Sequence, residues 1–157
     1  MKRKVYLETS VISYLTSKSS QNSITTNRQL QARLLWERKR FAFVISDVVL
    51  DEISLGDKTQ TESRLVLVEG LPVLPTNEEA QYLAQLLITR KALPNKAIAD
   101  AFHVAIATFH RVTAIASYNF RHISGAFSRR LIENTLLQLG YSPPIIANPE
   151  ELIGDEK

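Results

Sequence analysis

Four residues of this chain have the types and local settings to do chemistry together: Glu8, Glu52, Asp100 and Asn119. Glu8 follows the apolar run Val5-Tyr6-Leu7 and opens Glu8-Thr9-Ser10. Glu52 lies just after a second apolar run, residues 41–45 (FAFVI). Asp100 is an acid in an otherwise apolar segment, and Asn119 sits in the polar loop that closes the next apolar run. Singly, each has a plain structural use: hydroxyls and acids cap helices and complement their N-termini. Gathered at one place, carboxylates repel each other unless a cation joins them. A hard divalent cation prefers oxygen ligands, and Mg²⁺ takes one or two carboxylates, several waters and substrate phosphate oxygens. Asn119 could add a neutral oxygen or hold a water, and Thr9 and Ser10 offer hydroxyls and backbone amides beside Glu8.

The elements that must position these residues can be read from periodicity. Residues 98–111 form a helix whose apolar positions (Ile98, Ala101, Phe102, Val104, Ala105, Ile106) cover nearly all faces, so it is buried. The strand 112–117 follows at once. About 14 helical residues at ~1.5 Å each span the same ~20 Å as about six strand residues at ~3.3 Å. The start of the helix therefore returns beside the end of the strand, which puts Asp100 next to Asn119. Residues 4–7 and 41–45 read as further buried strands, with short ones at 73–74 and 145–147. Helices are expected over 11–16, 27–40, the segment after Ser46-Asp47, 61–69, 78–91 and 125–139. Residues 18–26, rich in Ser, Gln, Asn and Thr, read as a surface loop. Strands alternating with helices predict an α/β fold with a mostly parallel sheet, whose ligands bind at the carboxyl ends of the strands. All four residues fall at that edge, which is the argument for one joint site.

The length of 157 residues fits a single domain over 1–157, with no repeat or linker. Lys and Arg number 19 against 16 Asp and Glu, a mildly basic balance that is compatible with nucleic acid but weak evidence alone. The absence of cysteine excludes disulfides, zinc–thiolate sites and a cysteine nucleophile. No apolar stretch approaches the ~20 residues of a membrane span, and the N-terminus does not read as a signal peptide. The expected location is cytoplasmic, with no membrane partner.

Other residues carry less. His103, one turn after Asp100, reads as a satisfied core-edge histidine that could approach the site. His110 closes the helix and reads as solvated. His122 is the best-placed histidine for a phosphate. Arg121, Arg129 and Arg130 follow Asn119 and could grip a phosphate backbone.

The segments Val5-Tyr6-Leu7-Glu8-Thr9-Ser10-Val11-Ile12, residues 46–53, Asp100-Ala101-Phe102-His103-Val104-Ala105-Ile106-Ala107 and Ser117-Tyr118-Asn119-Phe120, in this order, resemble the PIN domain family, including VapC-like ribonuclease toxins. The resemblance implies a three-layer α/β/α fold, a Mg²⁺ or Mn²⁺ cofactor and phosphodiester cleavage, usually of RNA. It places Glu8, Glu52 and Asp100 at the family's first three acidic positions and Asn119 at the fourth. Two departures stand out: Glu8 is where Asp is common, which lengthens the reach by a methylene, and Asn119 lacks the usual charge. A branch with Glu-Thr-Ser and a terminal Asn is closer to this chain. On this reading Glu8, Glu52, Asp100 and Asn119 are both metal-binding and catalytic. Thr9, Ser10, Arg121, His122, Arg129 and Arg130 meet the nucleic acid. The partners are RNA, a cognate antitoxin protein and a second copy in a homodimer. The rival reading is a catalytically silent PIN-like module that binds RNA or protein. A receiver-type phosphorelay domain fits poorly, because it needs an Asp at the end of a strand.

Overall fold

The computed structural model describes residues 2–154. The elements run β1 (Arg3–Leu7), α1 (Thr9–Thr16), α2 (Ser23–Trp36), β2 (Phe41–Ser46), α3 (Asp47–Ile53), α4 (Lys58–Val68), β3 (Val73–Leu74), α5 (Glu78–Thr89), α6 (Ile98–Phe109), β4 (Ala114–Ala116), α7 (Ala126–Gln138), β5 (Ile145–Ala147) and α8 (Pro149–Gly154). A 3₁₀ turn, Asn95–Ala97, leads into α6, and a π-helical turn, Phe120–Ser124, follows β4.

All pairings are parallel, and the sheet order is β3-β2-β1-β4-β5. Parallel strands lie under helices on both faces, which is why their inner positions are continuously apolar. Val5, Tyr6, Leu7, Val44, Ile45 and Ile115 are buried accordingly. The chain winds outward from β1 through β2 to β3, then returns to the other side of β1 for β4 and β5. With right-handed crossovers, the reversal sends α5, α6 and α7 to the face opposite α1 to α4. This is the expected α/β/α three-layer architecture. The reversal also makes the gap between β1 and β4 a topological switch point, where open α/β sheets bind ligands.

The central helix α6 is buried nearly all round, including Ala101, Val104, Ala105, Ile106 and Ala107. Helix boundaries moved where caps decide them. The Ser/Thr-rich stretch expected as loop is partly helical: α2 starts at Ser23, because the Asn22 side chain accepts the Thr25 N–H. Likewise α4 begins at Lys58 because Asp57 caps it through the Gln60 N–H. The π-helical turn was not readable as such. Its last bond, from Gly125 N–H to the Phe120 carbonyl, is 3.0 Å long. A Cβ on Gly125 would lie 2.2 Å from that carbonyl oxygen, so only glycine fits. No described helix is long and apolar enough to cross a membrane.

Candidate metal centre

Glu8 leaves the end of β1 at the switch point and is 5% exposed. Its Oε1 accepts hydrogen bonds from Ser10 Oγ at 2.5 Å and Ser117 Oγ at 2.7 Å. Each hydroxyl also accepts a backbone N–H, Ser10 from Tyr118 and Ser117 from Asn119. The exits of β1 and β4 are thus tied together around one carboxylate. Among the described residues no cationic side chain bonds Glu8. A buried anion held only by neutral hydroxyls is costly without a counter-charge, and that deficit is what a divalent cation would meet.

Glu52 projects from α3, which Ser46 caps through the Val49 N–H. Glu52 Oε1 accepts from Thr9 Oγ1 at 2.5 Å and from His103 Nε2 at 2.6 Å. Since the carboxylate accepts, Nε2 carries the proton. The other ring nitrogen, Nδ1, lies 2.6 Å from the Tyr6 hydroxyl, itself 2.7 Å from Ser46 Oγ. With a neutral imidazole, Ser46 donates to Tyr6 and Tyr6 donates to Nδ1. With an imidazolium, Nδ1 donates to Tyr6 and the phenol turns to Ser46. Both arrangements need a protonated phenol, and burial pushes the Tyr6 hydroxyl far above its ordinary range, with the Glu8 and Glu52 charges acting the same way. Burial alone would lower His103, which is fully enclosed, but the bond to Glu52 and the charges of Glu8, Glu52 and Asp100 outweigh it and raise the imidazole. Burial likewise pushes Glu52 upward, yet the His103 bond and charge and the Thr9 hydroxyl hold it below the usual carboxylate range. One ligand atom each from Glu8, Glu52 and His103 lie within 4.8 Å of one another, which leaves the two carboxylates close enough to share a metal ion while His103 spends its Nε2 proton on Glu52.

Asp100 stands in the first turn of α6 and is not part of the Glu8–Glu52–His103 group. Its Oδ1 accepts from Asn119 Nδ2 at 3.0 Å, and its Oδ2 accepts from His122 Nδ1 at 2.9 Å. Asp100 and Asn119 therefore meet as the helix and strand lengths require. Asn119 Oδ1 accepts the His122 N–H, so the amide also opens the π-helical turn. His122 carries no phosphate-ready free face toward Asp100, because that side is its hydrogen bond. Arg121 is exposed and lines, with His122, Lys91, Asn95 and Phe127, a groove of about 530 Å³. Arg130 is exposed. Arg129 is ion-paired with Glu151 at 2.8 Å, also bonds the Ile146 carbonyl, and lines a separate cavity with Arg3 and Glu133. The Thr9 and Ser10 hydroxyls bond Glu52 and Glu8. His110 bonds the Pro75 carbonyl.

Sequence reasoning undervalued His103, which bridges Glu52 to the core rather than standing at its edge. The available signal was its spacing, three residues after Asp100 and so on the same helix face. Ser117 and Tyr6 were read only as members of the strand and loop segments, with no role at the site.

The PIN domain family model matches residues 5–127. Three solved structures are similar in fold. The VapC20 toxin of Mycobacterium tuberculosis, which cleaves the sarcin–ricin loop, superposes with a TM-score of 0.60 at 17% identity, over 80% of this chain and 94% of its own. VapBC2 of Rickettsia felis, bound to a DNA fragment from its promoter, gives 0.54 at 16% identity, over 92% and 98%. VapBC-5, a toxin–antitoxin system of M. tuberculosis, gives 0.51 at 14% identity, over 92% and 98%. No curated protein matches the sequence significantly. The matched span holds both strand exits at the switch point and every carboxylate and imidazole gathered there, and on that match this chain belongs to the PIN domain family.

Proposed function

We propose that the chain is a Mg²⁺- or Mn²⁺-dependent endoribonuclease and the toxin of a toxin–antitoxin pair. The observation that supports this best is Glu8, a buried carboxylate bonded by the Ser10 and Ser117 hydroxyls, with a ligand atom within 4.8 Å of those of Glu52 and His103 at the switch point. Oxygen donors of this kind suit a hard divalent cation. Glu8 and Glu52 would hold it, with His103 fixing Glu52, and Asp100 and Asn119 acting directly or through water. The cation, when bound, supplies Lewis acidity for phosphodiester hydrolysis. Ser10, Ser117 and Thr9 orient the carboxylates. Arg121 and Lys91 give the adjoining groove a cationic wall for phosphates, and the exposed Arg130 is a further candidate for phosphate contact. The VapBC likenesses support a protein antitoxin as partner, and self-association as a homodimer belongs to the same reading. An RNA substrate sets the activity in the cytoplasm.

The test is cleavage of a labelled RNA pool by wild type, Glu8→Gln and Asp100→Asn, with Mn²⁺ or with EDTA. Wild type should cut only with metal, and each variant should lose orders of magnitude in rate while keeping fold and RNA binding. Cleavage indifferent to EDTA and to both substitutions would reject the metal-nuclease reading. One observation favours a silent RNA-binding module instead: both Asp100 oxygens are already engaged, by Asn119 and His122. On that reading wild type binds RNA without cutting it, and Asn119→Asp gains cleavage.

A further inference from the structure

The π-helical turn that begins after Asn119 also presents Phe120 to a cationic cluster that the metal centre does not use. The guanidinium of Arg28, on α2, lies 5.1 Å from the Phe120 ring centre, 5.6 Å from that of Tyr118 and 5.9 Å from that of Tyr14. Its Nη1 donates to the Tyr14 hydroxyl at 3.1 Å, and no carboxylate bonds it among the described residues. The Tyr118 hydroxyl donates to the Arg28 carbonyl, which fixes the backbone from which the guanidinium projects. Tyr14 and Tyr118 meet edge to face at 4.9 Å and form the floor, with Tyr118 buried. Phe120 is 37% exposed and forms the rim.

Packing explains the tyrosine floor. It does not explain a half-buried guanidinium with most of its five donors uncommitted beside an exposed ring. A planar cation and an aromatic face together are the surfaces on which an unpaired nucleobase stacks, in a manner tolerant of sequence. The position is joined to the carboxylates by short links. Phe120 follows Asn119, which bonds Asp100, and the Tyr118 N–H is held by the same Ser10 hydroxyl that bonds Glu8. We propose that Arg28 and Phe120 form a stacking subsite for one unpaired base of single-stranded RNA, adjacent to the phosphate handled at the carboxylate cluster. This rests on the RNA reading above and deepens it: the substrate must be unpaired at that nucleotide.

Anisotropy titrations with labelled, mixed-sequence single-stranded oligoribonucleotides test it, in an Asp100→Asn background with Mn²⁺ so that cleavage does not intervene. Phe120→Ala should weaken binding by about 5- to 100-fold, and Phe120→Leu nearly as much, because leucine restores bulk without a π-face. Arg28→Lys, which keeps the charge and loses the plane, should also bind more weakly. An abasic ribose-phosphate oligomer and duplex RNA should bind the background and Phe120→Ala alike. Equal losses on intact and abasic strands would make Phe120 structural and overturn the proposal. So would unchanged affinity in all three variants, which would leave the cluster as packing or a protein contact. If the background binds no RNA, the RNA reading fails and this inference with it. If it binds but ignores Phe120 and Arg28, only the stacking subsite fails.

Discussion

Replacing Asn119 by Asp sets a second carboxylate against Asp100, and the structure gives the consequence a size. The Asn119 amide donates to Asp100 Oδ1 at 3.0 Å, and the Asp100 side chain is 19% exposed. An aspartate there removes a donor to a charged acceptor, a loss of about 1.5–3 kcal/mol. It also sets two carboxylates at nearly that separation. Two like charges about 4 Å apart repel by about 4 kcal/mol at an effective dielectric of ~20, part of which His122 offsets by donating to Asp100 Oδ2. With half of that repulsion offset, the metal-free variant should lose roughly 3.5–5 kcal/mol, or about 7–20 °C in Tm for a chain of this size. A cation that bridges the pair reverses the sign of the effect, so Mn²⁺ should raise the Tm of Asn119→Asp more than that of wild type. Asn119→Ala separates the contributions, since it removes the donor without adding charge and should lose less. Thermal melts in EDTA and in a Mn²⁺ series read all of this. An Asn119→Asp protein as stable as wild type in EDTA would refute the reasoning, because the amide could not then be holding an ionised Asp100.

Further expectations concern the Glu52–His103 pair, Gly125 and the arginines. Glu52 is held below its ordinary 4.5, so its stabilising contribution is present above that value and fades as pH falls through the folded pKa. His103 is raised above its ordinary 6.5, so its contribution is present below that value and fades as pH rises through the folded pKa. Metal-free stability should therefore include a pair contribution that is greatest between 4.5 and 6.5. In urea melts across pH, His103→Gln should flatten the alkaline limb, and an unaltered slope would count against the pair. Gly125→Ala forces a Cβ into the Phe120 carbonyl and should cost about 1–3 kcal/mol by urea melt, with loss of the Asn119–His122 contacts in NMR. Full retention of stability would mean that the turn opens easily. Arg121→Gln should reduce the salt slope of RNA binding by about one unit. Arg129→Gln should leave that slope alone and cost at most about 1 kcal/mol of stability, since its partner Glu151 is on the surface; the reverse pattern in a filter-binding series would exchange their roles.

The part of the site legible in the sequence was the part governed by element lengths. Glu8 and Asn119 follow the ends of β1 and β4, and Asp100 opens a buried helix just long enough to return it to Asn119. What stayed hidden depends on partners remote along the chain. His103 bonds Tyr6, 97 positions away, and Tyr6 bonds Ser46, 40 positions away; no periodicity reports such a choice. Nor could the sequence show that Arg129, expected at a phosphate because it follows the loop, pairs with Glu151, brought beside it by β5 and α8. The start of α2 was missed because polar residues with modest helix propensity still form a helix once Asn22 caps them and their apolar face packs.

The sheet order has a consequence for when the cluster can exist. β1 is synthesised first, yet it finds one of its two neighbours only when β4 arrives, and Ser117 bonds Glu8 across 109 positions of chain. Contacts of such separation form late in folding. A growing chain that stops short of Ser117 can build β1, β2 and the helices between them, but it lacks both partners of Asp100 and one of the two hydroxyls that hold Glu8. During translation Glu8 and Ser10 are made 109 and 107 residues before Ser117, the hydroxyl that completes the hold on the carboxylate. The Ser117–Glu8 and Asn119–Asp100 bonds therefore cannot form until β4 and the turn after it have been made.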